Sequence, residues 1–130
     1  MRLVIDTNLW ISYLIGKKIK KLMNVVFNHQ ILFCNETISE LIEVCYRPKF
    51  QHYFNKKDIK NMIELLQNIG EFVTIHTTVN LCRDPKDNIW LSLCKDGQAD
   101  YLITGDADLL ILEIFENTKI ITLNQFLNTN

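Results

Sequence analysis

Short apolar runs alternate with longer segments of helical spacing along the whole chain. The short runs predict buried strands at residues 2–5, 30–34, 72–75, 101–104 and 119–122. Between them, apolar residues recur every three or four positions, which predicts helices over residues 8–15, 18–27, 37–46, 57–69, 84–95 and 106–115, and a final turn at 123–127. Parallel strands need crossover connections, which are nearly always right-handed. The pattern therefore predicts an α/β fold, a three-layer α/β/α sandwich around a mostly parallel five-stranded sheet.

Capping and turn residues set the expected helix ends. Thr37 and Glu40 have the S/T-x-x-E spacing of a capping box, which predicts that a helix opens there. Asp84 followed by Pro85 is typical of a helix start, with the aspartate as N-cap. Gly70 ends the helical pattern of residues 57–69. The chain shows neither a linker nor a low-complexity segment, so we expect a single domain over residues 1–130.

The charge balance excludes a protein that attracts nucleic acid through its overall charge. The chain has 14 Lys+Arg against 15 Asp+Glu, so its formal net charge is -1, and any polyanion must be held locally. The apolar runs are far shorter than the roughly 20 residues that span a bilayer. Strand-like sequence begins at Arg2, so we expect neither a standard export signal nor a membrane role.

The spacing of cysteines and histidines argues against disulfides and against zinc. The cysteines lack a CxxC motif, and three of them lie in apolar stretches where a reduced thiol packs as a small hydrophobe. We therefore expect a cytoplasmic protein. The histidines are scattered, without the spacing of zinc ligands. The residues concerned are Cys34, Cys45, Cys82 and Cys94, and His29, His52 and His76.

Acidic residues follow the predicted strands or open the next helix, at Asp6, Glu40, Asp87 and Asp106. The carboxyl ends of parallel strands share one edge of the sheet, so these side chains are expected to converge in one pocket. Close carboxylates raise one another's pKa, and a divalent cation relieves the repulsion. Carboxylate oxygens are hard ligands, which favours Mg²⁺ or Mn²⁺ over zinc. Asp108 is either a fifth carboxylate or a surface acid of the helix.

A purely structural role is the alternative for each acid, because acidic residues also cap helices. Glu40 could close a capping box with Thr37, Asp87 could do the same with Asp84, and Asp6 or Asp106 could be plain caps. Capping alone does not explain why acids follow so many strands on one edge. We therefore favour the cluster, and we hypothesise metal-dependent phosphodiester hydrolysis.

Four short motifs occur in an order that resembles the PIN-domain ribonucleases, and within them the toxin components of toxin–antitoxin pairs. They are VIDTN at residues 4–8, SEL at 39–41, DPKDN at 84–88 and TGDADL at 104–109. The resemblance implies a metal-dependent endoribonuclease with a parallel sheet of order 3-2-1-4-5. It further implies that Asp6, Glu40, Asp87 and Asp106 are the catalytic, metal-site acids, with Asn8 and Thr104 as their polar neighbours. Within the DPKDN motif we favour Asp87 as the metal-site residue, because Asp84 is better explained as the N-cap of the helix.

The expected partners are an RNA substrate, a small antitoxin and a second copy of the chain. Arg47 and Lys49 lie beside aromatic residues, and a guanidinium with rings can grip single-stranded RNA by charge and stacking. Other basic candidates are Lys17, Lys18, Lys20 and Lys21, which read more simply as a solvated helix face, and Arg83 and Lys86.

Two rival functions stay open at this point. A phosphohydrolase with an aspartyl nucleophile would use Asp6, but the chain offers Asn8 where such enzymes place a second aspartate as acid/base. A PIN-like module could also bind RNA or protein without cutting it, although the intact acidic set argues against that. The chain contains no GxGxxG, GxxxxGK[ST] or GxSxG motif, which removes support for the usual nucleotide-binding and serine-hydrolase sites.

Overall fold

A largely parallel sheet lies at the centre of the protein in the computed structural model, which describes residues 1–16 and 18–129. Lys17, one of the lysines considered above as an RNA contact, lies outside the described residues. Short apolar runs form the strands, because a run of four apolar residues can be buried on both faces of a sheet. In the described ranges the strands are β1 Arg2–Ile5, β2 Gln30–Phe33, β3 Glu71–Phe72, β4 Tyr101–Ile103, β5 Ile114–Phe115 and β6 Thr118–Ile121.

The strand order is β3-β2-β1-β4-β6-β5. Parallel pairing joins β1 to β2 and β4, β2 to β3, and β4 to β6, whereas β5 pairs antiparallel with β6. The predicted order of five parallel strands is confirmed, with β6 in the place of the predicted fifth strand. The predicted strand number was wrong, because β5 adds a short antiparallel edge.

Helices cover both faces of the sheet. They are α1 Thr7–Ile15, α2 Ile19–Val26, α3 Asn35–Cys45, α4 Lys56–Ile69, α5 Asn88–Asp96, α6 Ala107–Leu110 and α7 Leu123–Thr129. Successive strand residues point to opposite faces, so Leu3 and Ile5 pack with α1 to α4 and α7, while Val4 packs with α5 and α6. The predicted three-layer arrangement is confirmed. None of the helices in the described part of the chain combines the length and apolar composition that crossing a membrane requires.

The helix predicted over residues 106–115 was wrong beyond its first turn. Helix α6 is only four residues long, and the chain then turns through Glu113 at φ 61° into the β5–β6 hairpin, where Glu116 has φ 53°. Both backbones lie in the left-handed region, which glycine favours and glutamate seldom adopts. The pairing of Ile114 with Lys119 and of Phe115 with Thr118 therefore outweighs local propensity.

The strand predicted at residues 72–75 forms sheet pairs only at its start, in β3. The chain continues in extended form, and its alternate residues Val73, Ile75 and Val79 pack against the core beneath α5. Asp96, at the end of α5, fixes this segment by accepting hydrogen bonds from the backbone N–H of His76 at 2.6 Å and of Thr77 at 2.8 Å. The Asp96 carboxylate therefore accepts backbone hydrogen bonds that a neighbouring strand would accept in a sheet.

Helix α3 begins earlier than predicted, at Asn35, with Cys34 as its N-cap. The Thr37 hydroxyl accepts a hydrogen bond from the Cys34 backbone N–H at 3.1 Å and donates to the Cys34 carbonyl at 3.2 Å. The predicted capping box between Thr37 and Glu40 was therefore wrong. Glu40 lies in the second turn of α3, which leaves its carboxylate without a capping role.

Candidate active site

The site forms where β1 and β4 end side by side. Parallel pairing aligns Ile5 with Ile103, so the residues that follow each strand meet at the carboxyl edge of the sheet. Asp6 continues this pairing by donating its backbone N–H to the Ile103 carbonyl at 3.0 Å. The chain then enters α1 after Asp6 and α6 after Asp106. Two of the predicted acids are thereby brought to one place by strand register alone.

Thr104 ties these two acids together. Its side chain is fully buried, and its hydroxyl donates to Asp6 Oδ2 at 2.7 Å while accepting the backbone N–H of Asp106 at 3.0 Å. A buried hydroxyl with both partners satisfied has one favourable orientation, so it fixes the Asp6 carboxylate relative to the start of α6. This is the neighbouring position that the motif resemblance implied for Thr104.

Three half-buried aspartates form the tightest group of possible metal ligands in the described residues. One carboxylate oxygen from each of Asp87, Asp106 and Asp108 lies within 4.8 Å of the other two. Oxygens on opposite sides of one Mg²⁺ are about 4.2 Å apart, twice the usual bond length. The spacing and the purely oxygen donor set therefore fit a hard divalent cation such as Mg²⁺ or Mn²⁺.

Mutual repulsion and burial raise the pKa of two acids of the site. The pKa of Asp87 rises to about 6, first through burial and then through the negative charges of Asp106, Asp84, Asp6 and Asp108. Burial also raises the pKa of Asp6, against the opposing effect of its two hydrogen bonds and with a further contribution from Asp106. Asp6 therefore shares the electrostatic field of the three aspartates although it lies outside their tight group.

Asp6 and Asp106 also cap helices, so the structural alternative is correct for part of their role. Asp6 Oδ1 accepts the backbone N–H of Asn8 at 3.2 Å, and Asp106 Oδ1 accepts that of Asp108 at 2.9 Å. Each cap uses a single oxygen of the carboxylate. The predicted polar neighbour Asn8 takes part through its backbone, and its residue is exposed.

Asp84 caps a helical turn, whereas Asp87 belongs to the acidic group. Asp84 caps the 3-10 turn Pro85–Asp87 by accepting the Lys86 backbone N–H at 3.0 Å. Asp87 stands at the N-cap of α5 but makes no side-chain capping bond there. The helix predicted over residues 84–95 is thus a 3-10 turn followed by α5, and the aspartate with the free carboxylate is the one that faces the acidic group.

Glu40 approaches the site from α3 and is held by Thr7. The Thr7 hydroxyl donates to Glu40 Oε2 at 3.0 Å, and Thr7 is buried with 2% of its surface exposed. Glu40 is not one of the three closely spaced ligands, so the structure connects it to the site through the neighbour of Asp6. We did not predict Thr7 from the sequence, although it lies inside the VIDTN motif beside Asp6.

Asn88 is a second residue that sequence reasoning missed. Its side-chain Oδ1 accepts the backbone N–H of Leu81 at 3.1 Å and of Cys82 at 2.9 Å. This pins the segment before the DPKDN motif to the first turn of α5. Cys82 consequently lies close to the acids, and burial together with the charges of Asp87 and others raises the pKa of its thiol.

The predicted RNA-contacting cations lie away from the three aspartates. Arg47 forms two hydrogen bonds with Glu43, at 3.1 and 3.0 Å, and the Lys49 ammonium lies 5.0 Å from the centre of the Phe50 ring. Another of the basic candidates, Arg83, is 88% exposed and reaches Asp108 at 3.9 Å. Within the described ranges, neither Arg47 nor Lys49 forms an ion pair with an aspartate of the group.

A family model described as PIN domain matches residues 2–108. The chain belongs to the PIN-domain family. PIN domains are a nuclease family whose members generally use divalent metals. The match includes all five acidic candidates and ends at Asp108, so β5, β6 and α7 of this PIN domain lie outside it. None of the curated proteins compared with the chain matches it.

Proposed function

We propose that this PIN domain is a Mg²⁺- or Mn²⁺-dependent endoribonuclease. The observation that carries the proposal is the closely spaced group of Asp87, Asp106 and Asp108 at the carboxyl edge of the sheet. The raised pKa of Asp87, about 6, supports it. Carboxylates that repel one another bind a cation more favourably, because the cation relieves their repulsion. Membership of a nuclease family supplies the reaction class.

The side chains divide the work of such a site between them. Asp87, Asp106 and Asp108 would hold the cation, with Asp6 and Glu40 next to them. A bound divalent cation would supply charge neutralisation at the scissile phosphodiester and activation of a water molecule. Thr104 and Thr7 keep the carboxylates of Asp6 and Glu40 in position through the hydrogen bonds described above.

RNA as the substrate, and the role of toxin, rest on the motif resemblance. Arg47 and Lys49 are proposed to contact the RNA backbone at the end of α3, where both are exposed. A small antitoxin is the proposed inhibitory partner, and a homodimer is the proposed assembly. The four cysteines are free, which supports a reducing, cytoplasmic setting.

The rival functions are less well supported by the geometry. An aspartyl nucleophile at Asp6 would have to attack from a residue that is 5% exposed and whose two oxygens already accept hydrogen bonds. A binding module without catalysis would not need three carboxylates at the spacing of cation ligands. Both rivals would leave RNA uncut in the presence of a divalent cation.

The test is cleavage of a total RNA pool by protein purified free of any bound partner. Cleavage should require Mg²⁺ or Mn²⁺, stop with EDTA and be lost in Asp106→Asn. Asp58→Asn, which removes an exposed acid from the first turn of α4, should cleave like the wild type and so shows that loss of an arbitrary acid is not enough. Loss of cleavage in Asp106→Asn purified in the same way excludes a contaminating nuclease. Full activity of Asp106→Asn, or no metal-dependent cleavage by the wild type, would refute the proposal.

A further inference from the structure

Helix α3 carries a row of charged side chains that leads away from the acidic group. Glu40 and Glu43 are three residues apart on one face of α3, and Arg47 follows four residues later, just past the end of the helix. From Glu40 to the end of α3 at Cys45 the helix rises about 8 Å, and Arg47 lies two residues further along the chain. The Thr7 hydroxyl, beside Asp6, holds Glu40 at the site end of this row. Arg47 is at the other end of the row, away from Asp6.

Arg47 binds the carboxylate of Glu43 through two hydrogen bonds. Its Nε and Nη2 donate to the two oxygens of Glu43 at 3.1 and 3.0 Å, in the two-pronged geometry of a guanidinium on a carboxylate. A phosphodiester offers the same pair of acceptor oxygens. The two side chains are 45% and 62% exposed, and an ion pair this exposed contributes little to stability because water screens it. A backbone phosphate therefore needs little free energy to replace Glu43.

A second positive charge also acts on the Glu43 carboxylate. The pKa of Glu43 is lowered chiefly by its hydrogen bonds from Arg47 and more weakly by the positive charge of Lys86. Lys86 belongs to the Pro85–Asp87 turn and directly precedes Asp87. Two positive charges thus act on one exposed carboxylate, in a chain whose overall charge of -1 provides no general attraction to RNA.

We propose that Arg47 and Lys86 form a phosphate-binding subsite for the RNA backbone, and that Glu43 occupies this subsite until RNA displaces it. Glu43 then acts as a built-in competitor that lowers the affinity for RNA. The inference rests on the proposed nuclease function. The proposed subsite differs from an ordinary contact between a basic side chain and a phosphate, because an acidic residue, Glu43, controls the affinity for RNA.

The experiment measures binding of a fluorescein-labelled single-stranded RNA by anisotropy, with the full chain carrying Asp106→Asn and with EDTA present, so that no RNA is cut. Glu43→Gln should tighten binding by up to about fivefold, the factor that an exposed ion pair allows. Arg47→Gln and Lys86→Gln should each weaken it and each lower the slope of log Kd against log salt by about 0.7, the value for one phosphate contact on a single strand.

The deciding comparison is the double variant. With Arg47→Gln present, Glu43→Gln should tighten binding much less, because the competitor has lost the cation that binds it directly and only the weaker effect of Lys86 remains. Glu64→Gln, an exposed acid on α4 with the same change in net charge, is the matched control and should leave affinity nearly unchanged. Arg47→Lys keeps the charge without the fork, so intermediate binding by this variant supports the subsite even if Arg47→Gln alters the helix end.

Equal tightening by Glu43→Gln with and without Arg47, or equal effects of Glu43→Gln and Glu64→Gln, would overturn the inference. The Glu43–Arg47 pair would then be an ordinary ion pair along a helix. If the wild type still cleaves RNA with Mg²⁺ in that case, the proposed function survives and only the subsite falls. Loss of both RNA cleavage by the wild type and RNA binding by every variant would overturn both.

Discussion

Replacing Asp87 by asparagine should stabilise the metal-free protein at neutral pH. Folding raises the pKa of this carboxyl from 3.8 to about 6, so the folded state opposes its ionisation. Each pKa unit corresponds to about 1.4 kcal/mol, and the two units give an upper limit of about 3 kcal/mol. Asp87 is half-buried and reached by solvent, so we expect roughly 1 to 2 kcal/mol.

The sign of the pH dependence follows from the raised pKa. Between pH 4 and 6 the folded protein binds a proton at Asp87 that the unfolded chain has released, so wild-type stability falls as pH rises through this window. The advantage of Asp87→Asn should be complete above about pH 7, about half as large at pH 5 and absent below about pH 3.8. Urea unfolding of both proteins in EDTA at these pH values measures the difference.

The control for this experiment is Asp58→Asn, which removes an acid outside the site. Its free energy of unfolding should not exceed that of the wild type at any pH, because Asp58 lies in the first turn of α4, where a negative charge favours the helix. A pH-independent difference for Asp87→Asn, or a variant less stable than the wild type at pH 7.5, would refute the reasoning. Either result would mean that the Asp87 carboxylate is not under electrostatic strain in the folded protein.

Three further predictions concern the cation, Thr7 and Gly70. Millimolar Mn²⁺ should raise the melting temperature of the wild type more than that of Asp106→Asn, since a ligand that binds only the folded state stabilises it by mass action; equal shifts would count against the metal site. Thr7→Val should weaken Mn²⁺ binding in a melting-temperature titration by about 10- to 100-fold because Glu40 loses its hydrogen-bond donor, and Thr7→Ser should restore it; a serine variant as weak as the valine variant would exclude this positioning role. Gly70→Ala should lower the free energy of unfolding by about 1 to 3 kcal/mol, because its Cβ would lie 2.6 Å from the ring of Phe33; unchanged urea unfolding would show that the ring moves freely.

The sequence pattern predicted the sheet well where each strand is a short apolar run. Strand β1 was found at its predicted bounds, and β2 ended one residue earlier, because residues such as Leu3 and Val4 are buried on opposite faces. Hairpin β5–β6 could not be predicted in this way. It depends on left-handed backbone at Glu113 and Glu116, which only pairing with the rest of the sheet stabilises.

The candidate site could be predicted as far as strand ends and helix starts determine it. Asp6 and Asp106 meet because β1 and β4 pair in register, and that follows from the predicted strand order. The contact between Thr7 and Glu40 depends on how α3 packs across α1. The positions of Thr7 and Glu40 in the sequence do not reveal this packing. The capping-box pattern instead predicted a contact between Glu40 and Thr37, which does not form.

The double role of Asp6 and Asp106 determines which substitutions are informative. Each uses one carboxylate oxygen to cap a helix, so alanine would remove a cap worth about 0.5 to 2 kcal/mol together with the charge. Asparagine keeps a cap of about equal strength and removes only the negative charge. A loss of cleavage and of Mn²⁺ stabilisation in Asp106→Asn, without loss of metal-free stability, therefore reports on the cation and not on the helix. If the alanine variant were unstable while the asparagine variant kept metal-free stability, cleavage and the response to Mn²⁺, capping would be the dominant role of this acid.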